Sequence, residues 1–143
     1  MSAFSEVVDA VVAVLSSAPS LANQVVAEEV RQVADSTRTL INVYWKSALP
    51  EEAVVNGPSD WQLQLCIDAL ARSKSQSGGK AVDDMMIHIV DRISADSTLG
   101  GLVIDCGLPR IDLEFDEAGQ KTGWVQLTYI VKIRTNHRSV RYG

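Results

Sequence analysis

Few side chains here have the type and spacing that chemistry requires. Asp84, His88 and Arg92 recur at intervals of four, which on a helix lines up an acid, an imidazole and a guanidinium along one flank. Such a row could relay a proton. A solvated i, i+4 charge ladder has the same pattern and is the simpler reading. Asp105, Asp112, Glu114, Asp116 and Glu117 gather late in the chain. Paired carboxylates can serve as acid and base, but acids alternating with apolar residues also make the wet face of an exposed hairpin. Cys66 and Cys106 lack CxxC spacing, and His88 and His137 stand in no metal-ligand pattern. No metal site is expected, and both cysteines read as reduced, inert thiols. Neither a Gly-rich phosphate loop nor a G-x-S-x-G elbow occurs. The expectation is a protein without catalytic residues, metal or cofactor.

The elements that must hold these residues follow from patterning. Residues 124–134 alternate strictly. Val125, Leu127, Tyr129, Val131 and Ile133 point one way, and Gln126, Thr128, Ile130, Lys132 and Arg134 the other. That is a half-buried strand. Ile111, Leu113 and Phe115 alternate with acids just before it, so the two stretches form a hairpin across the loop at 117–123. Residues 61–72 carry the same signal, with Trp61, Leu63, Leu65 and Ile67 on the buried face, and residues 40–47 form its partner. Residues 102–108 should be extended, with a bulge or an edge where Gly107 and Pro109 interrupt.

Two stretches have helical period. Phe4, Val7, Val8, Val11, Val14 and Leu15 define a helix over residues 3–17 with Ser2 as N-cap and Pro19 as its stop. Val82, Met85, Met86, Ile89 and Ile93 define a second over 81–95, with Asp83 and Asp84 in its first turn. Residues 20–39 fit either an amphipathic helix or a short strand at 24–31 followed by a loop, and periodicity alone favours the helix. Residues 72–80, RSKSQSGGK, read as a mobile connector or as a segment that orders when a partner docks. The fold expected is α+β. It has an antiparallel or mixed four-stranded sheet, with room for a fifth short strand, and two main helices on one face. Residues 1–134 make the domain and 135–143 a basic, flexible tail.

The chain has 143 residues, 46% of them hydrophobic, and a net charge of -5. That suffices for one core without staples. Residues 132–143 hold Lys132, Arg134, Arg138 and Arg141 and no acid, whereas the acidic body argues against general nucleic-acid binding. The apolar run at 7–15 lacks a basic flank and carries acids instead, so no secretory signal is expected. No run reaches the length of a membrane span, and a cytoplasmic product is expected.

Two strings carry a resemblance: Thr98-Leu99-Gly100-Gly101-Leu102-Val103 and Leu127-Thr128-Tyr129-Ile130-Val131. With the strand at 40–44, the strand at 61–68, the helix before the LGGLV stretch and the acidic hairpin, the chain resembles the tail terminator proteins of long-tailed bacteriophages, the family of the lambdoid minor tail protein U. Pro109 and residues 135–143 fall outside the resemblance. It favours a strand within 20–39. It implies a structural virion protein, made in the host cytoplasm, whose copies form a ring of six. The ring would cap the finished tail tube, stop its polymerisation and offer a surface to the head–tail neck protein. Its partners would be itself, the tube protein and the neck protein. DNA would pass through a lumen or rim carrying about 30 negative charges, which would keep it from sticking. Candidate contacts are Arg72, Lys74 and Lys80 in the Gly/Ser-rich segment, Asp116, Glu117 and Lys121 in the hairpin loop, and Arg134, Arg138 and Arg141 at the end. A head–tail neck or completion protein of similar fold is the alternative, then a small enzyme or ligand-binding domain.

Overall fold

The computed structural model describes residues 1–27, 38–51, 56–72, 78–115 and 122–142. Seven elements follow in order: α1 (Ala3–Ser16), β1 (Gln24–Ala27), β2 (Thr39–Pro50), β3 (Ser59–Arg72), α2 (Gly78–Ser94), β4 (Arg110–Phe115) and β5 (Thr122–Thr135). The strands form one mixed sheet in the order β1-β2-β3-β5-β4, parallel only between β1 and β2. Both helices lie on one face, α1 over β1 and β2, α2 over β3, β5 and β4. The α+β expectation therefore holds, and the fifth short strand is β1.

Burial follows the alternation. Leu63, Leu65, Ile67, Val125, Leu127, Tyr129, Val131 and Ile133 are buried beneath Val7, Val11 and Leu15 of α1 and Val82, Ile89 and Ile93 of α2. Slipping β3 by one residue would bury Gln62 and Gln64 instead, which fixes the register seen. Phe4 anchors α1 between two indoles, with ring centroids 5.2 Å from Trp45 and 5.4 Å from Trp61. The Ser2 hydroxyl accepts from the Ser5 amide at 3.2 Å, as an N-cap should. Pro50 ends β2 opposite Trp61, at a level where β1 no longer pairs with β2, so its missing N–H disturbs no ladder.

The structure corrects three expectations. First, α2 begins at Gly78, so Gly78, Gly79 and Lys80 are its opening turn rather than part of a connector, and Asp83 and Asp84 fall beyond the first turn. Second, residues 102–108 do not form a strand. They make turns tied down by an isolated bridge, the Ile104 amide donating to the Lys132 carbonyl at 2.8 Å and the Lys132 amide to that of Asp105 at 3.0 Å. Left-handed backbone at Leu99, Gly100, Gly101 and Gly107 keeps this segment from running straight.

Third, residues 135–142 are not a loose extension. The Thr135 hydroxyl donates to the Ser139 carbonyl at 2.7 Å, and the His137 Nδ1 lies 2.7 Å from the Gly57 carbonyl. Val140 offers its carbonyl to the Ala3 amide at 2.7 Å, and Tyr142 packs against the core. The tail thus satisfies a donor that the start of α1 would otherwise leave open. Truncation after Thr135 is expected to cost about 1–2 kcal/mol and to speed hydrogen exchange in the first turn of α1. Denaturant titration and exchange mass spectrometry would measure both.

Candidate functional site: the uncovered sheet face

Among the described residues no helix covers the second face of the sheet. Across its middle, Asn42, Asp68, Gln126 and Asp112 stand in one row, flanked by the row Tyr44, Cys66, Thr128, Arg110 and the row Leu40, Leu70, Trp124, Glu114. Cross-strand neighbours interact directly at such spacings. The Tyr44 hydroxyl donates to Asp68 Oδ2 at 3.0 Å. Gln126 Nε2 donates to Asp68 Oδ1 at 3.0 Å and to the Tyr44 oxygen at 3.1 Å. Three strands are thereby pinned by one triangle of polar groups. Cys66 and Leu70 are buried although they lie on this face, the first between Tyr44 and Thr128, the second between Leu40 and Trp124. Beside the triangle, Asp68, Asp112, Glu114, Trp124, Val125 and Gln126 line a depression of about 180 Å³.

These surroundings favour neutral forms. Burial, and then the Asp68 carboxylate, push the Tyr44 phenol up to about 12. Burial with Asp68 also raises the Cys66 thiol, and burial with Asp105 and Asp96 raises Cys106 to about 11. Neither thiol is a ready nucleophile. Burial raises Tyr129 as well, and burial with Glu6 takes Tyr142 to about 12. All three tyrosines of the chain are thus shifted the same way. Spectrophotometric titration of the native protein should show no tyrosinate band near pH 10, the ordinary tyrosine value. The fold favours the neutral phenol, so the Tyr44 contribution to stability is complete below that pH and is lost as pH rises toward about 12. Alkaline unfolding and tyrosinate absorbance should therefore appear together.

The basic candidates separate. Arg72 closes β3, its amide donating to the Arg38 carbonyl at 2.8 Å, and Lys80 lies in the opening turn of α2. Arg134 lies at the opposite end of the same long strand pair, forming a two-pronged pair with Asp60 at 2.7 and 3.1 Å. The partner holds the Asp60 carboxyl below the usual carboxylate range. Arg138 and Arg141 are exposed on the tail turn beyond it. A strand of 14 residues spans roughly 40 Å, so these cations lie at two separate ends of the sheet. Lys74, Asp116, Glu117 and Lys121 lie outside the described residues.

The Asp84, His88, Arg92 row does not act as a unit. Asp84 and His88 are exposed, whereas Arg92 turns toward α1, its guanidinium donating to the carbonyls of Ser17 at 3.0 Å and Pro19 at 2.9 Å. Among the described residues no group of three His, Cys, Asp or Glu is placed to hold a metal. Sequence reasoning missed the Tyr44, Asp68, Gln126 triangle. Its signal was available in the strand pairing, since correct registers for β2, β3 and β5 place all three in one neighbourhood. No family model matches the chain, and comparison with curated proteins finds no match. What the fold and this face define is a class: an α+β domain with a polar and partly aromatic sheet face that no described helix covers.

Proposed function

We propose that this protein is a structural component of a bacteriophage or prophage tail. In this reading its copies form a ring that caps the tail tube, ends tube polymerisation and presents the surface for head–tail joining. The observation that carries the reading is β1. Hydrophobic periodicity within 20–39 favours a helix, the likeness to tail terminators favours a strand, and Gln24–Ala27 is a strand. The long β3 and β5 also place candidate contact residues at both ends of the sheet. That spacing suits a subunit that must touch one partner on each side. A protein of this kind acts by binding and uses no metal, cofactor or membrane.

Electron microscopy of tails assembled in its absence tests the reading. Over-long, headless tubes support a terminator. Tails of normal length that fail to take heads point to a neck or completion protein. Reversing Arg138 and Arg141 to Glu should leave the fold intact and impair joining at one end only. Normal joining by that variant removes the tail turn from the contact surface.

A further inference from the structure

The chain has four asparagines, Asn23, Asn42, Asn56 and Asn136, and only Asn56 is followed by glycine. Asn42 lies within β2 and precedes the β-branched Val43. Asn23 precedes Gln24, and its side-chain oxygen accepts from the Thr39 hydroxyl at 2.9 Å. Asn136 precedes His137. Asn56 differs from all three. It is exposed, sits in a turn and has a φ of 64°, a left-handed conformation that asparagine tolerates better than most side chains. Gly57 has no β-carbon to shield its nitrogen. The C-terminal turn rests on the residues that follow. His137 Nδ1 lies 2.7 Å from the Gly57 carbonyl, and the Arg138 amide donates to the Ser59 hydroxyl at 3.0 Å.

We propose that Asn56 is a site of spontaneous deamidation, with the Gly57 nitrogen as nucleophile, and that the C-terminal turn restrains the reaction. The step needs only water and hydroxide. Hydroxide takes the Gly57 amide proton. The nitrogen bonds to Asn56 Cγ, the Cγ–Nδ2 bond breaks, and ammonia leaves. Water then opens the five-membered imide. Opening at the former side-chain carbonyl gives aspartate. Opening at the main-chain carbonyl gives isoaspartate, whose main chain runs through the side-chain methylene. Ring closure requires the peptide between residues 56 and 57 to swing until its nitrogen meets Cγ. His137 holds the next carbonyl and Arg138 the next hydroxyl but one, and both oppose that swing. The reaction therefore runs from a locally opened turn. Its product puts a negative charge beside the turn that carries Arg138 and Arg141, and isoaspartate draws the Gly57 carbonyl away from His137. The inference goes beyond the tube-cap reading and does not rest on it.

Peptide mapping by mass spectrometry, after the purified full chain is aged in mildly alkaline buffer, tests this. Asn56 should convert to a mixture of aspartate and isoaspartate while Asn23, Asn42 and Asn136 stay amides. Gly57→Ala should lose most of the conversion, because the added methyl crowds the attacking nitrogen. Asn56→Gly, which suits the left-handed backbone, should lose the signal altogether. His137→Ala should speed conversion of Asn56, and so should truncation after Thr135. Asn42, inside β2, gauges unfolding in both variants and should remain an amide. Three outcomes overturn the proposal. The first is an Asn56 that stays an amide. The second is a Gly57→Ala chain that converts as fast as wild type. The third is a pair of tail variants in which Asn56 converts no faster than in wild type, or only in step with Asn42.

Discussion

Gly123→Ala should destabilise this protein by about 3 kcal/mol, more than the usual cost of one added methyl in a core. Gly123 is buried on β5 directly beneath Gly78, the first residue of α2. A β-carbon at 123 would run into the Gly78 carbonyl, well inside van der Waals contact, and would sit 2.9 Å from Val82 Cγ1. A β-carbon at Gly78 would meet the backbone of Thr122 and Gly123 in turn. Neither obstacle is a flexible side-chain end, so relief requires lifting the start of α2 from the sheet. The melting temperature should fall by roughly 10 °C, and Gly78→Ala should behave alike. Gly100→Ala supplies the contrast. Nothing lies within 4 Å of its added carbon, but φ is +70°, so only the left-handed penalty of about 1 kcal/mol applies. Thermal melts of the three variants should therefore rank Gly100→Ala well above the other two. Equal melting of Gly123→Ala and wild type would show that α2 can lift off the sheet at no cost.

That glycine pair also shows where the sequence stops being readable. Strand faces are legible because period 2 leaves no choice: once Leu63, Leu65 and Ile67 are apolar and Gln62 and Gln64 polar, the buried side is decided. Helix faces are legible for the same kind of reason. Contacts between elements distant in the chain have no such local period. Gly78 and Gly79 look like connector residues until β5 is laid against them, and only then does the absence of a side chain at 78 and 123 become one feature. The tail reads as loose because its composition is polar and basic, while what fixes it are main-chain bonds, Ala3 to Val140 among them. The helix-facing apolar residues of β4 are correctly assigned to their face by alternation. That Ile111 and Leu113 stay half exposed beside α2 is a matter of element length and placement, which alternation does not encode. The candidate cations were chosen by charge alone, and charge does not reveal that Arg134 is already engaged by Asp60.

Arg92→Met should cost about 2–3 kcal/mol, with the loss concentrated at the far end of a different helix. The last turn of α1 holds no basic residue, so the negative end of its dipole lacks a local cation. Arg92 supplies one from α2. Its Nη1 reaches the carbonyls of Val14 at 3.3 Å, Leu15 at 3.4 Å and Ser17 at 3.0 Å, and its Nη2 reaches Pro19 at 2.9 Å. Hydrogen bonds from a charged donor contribute more than neutral ones, and removing this one takes it from the Ser17 and Pro19 carbonyls at once, whereas Val14 and Leu15 keep the Ser17 hydroxyl and the Leu21 amide. Methionine keeps the aliphatic stem and loses the fork. Arg92→Lys should recover only part of the loss, because a compact ammonium cannot span acceptors fanned across two turns of chain. The local readout is decisive. Hydrogen exchange should quicken at Ser17 and Leu21, whose amides donate to Ala13 and Leu15, and then along β1, which this segment delivers to the sheet edge. Uniform quickening across the whole sheet would instead mean that Arg92 stabilises the protein globally and does not position α1. If the effect stays local, one cation on α2 sets where β1 lies, and with it the shape of the edge opposite β4.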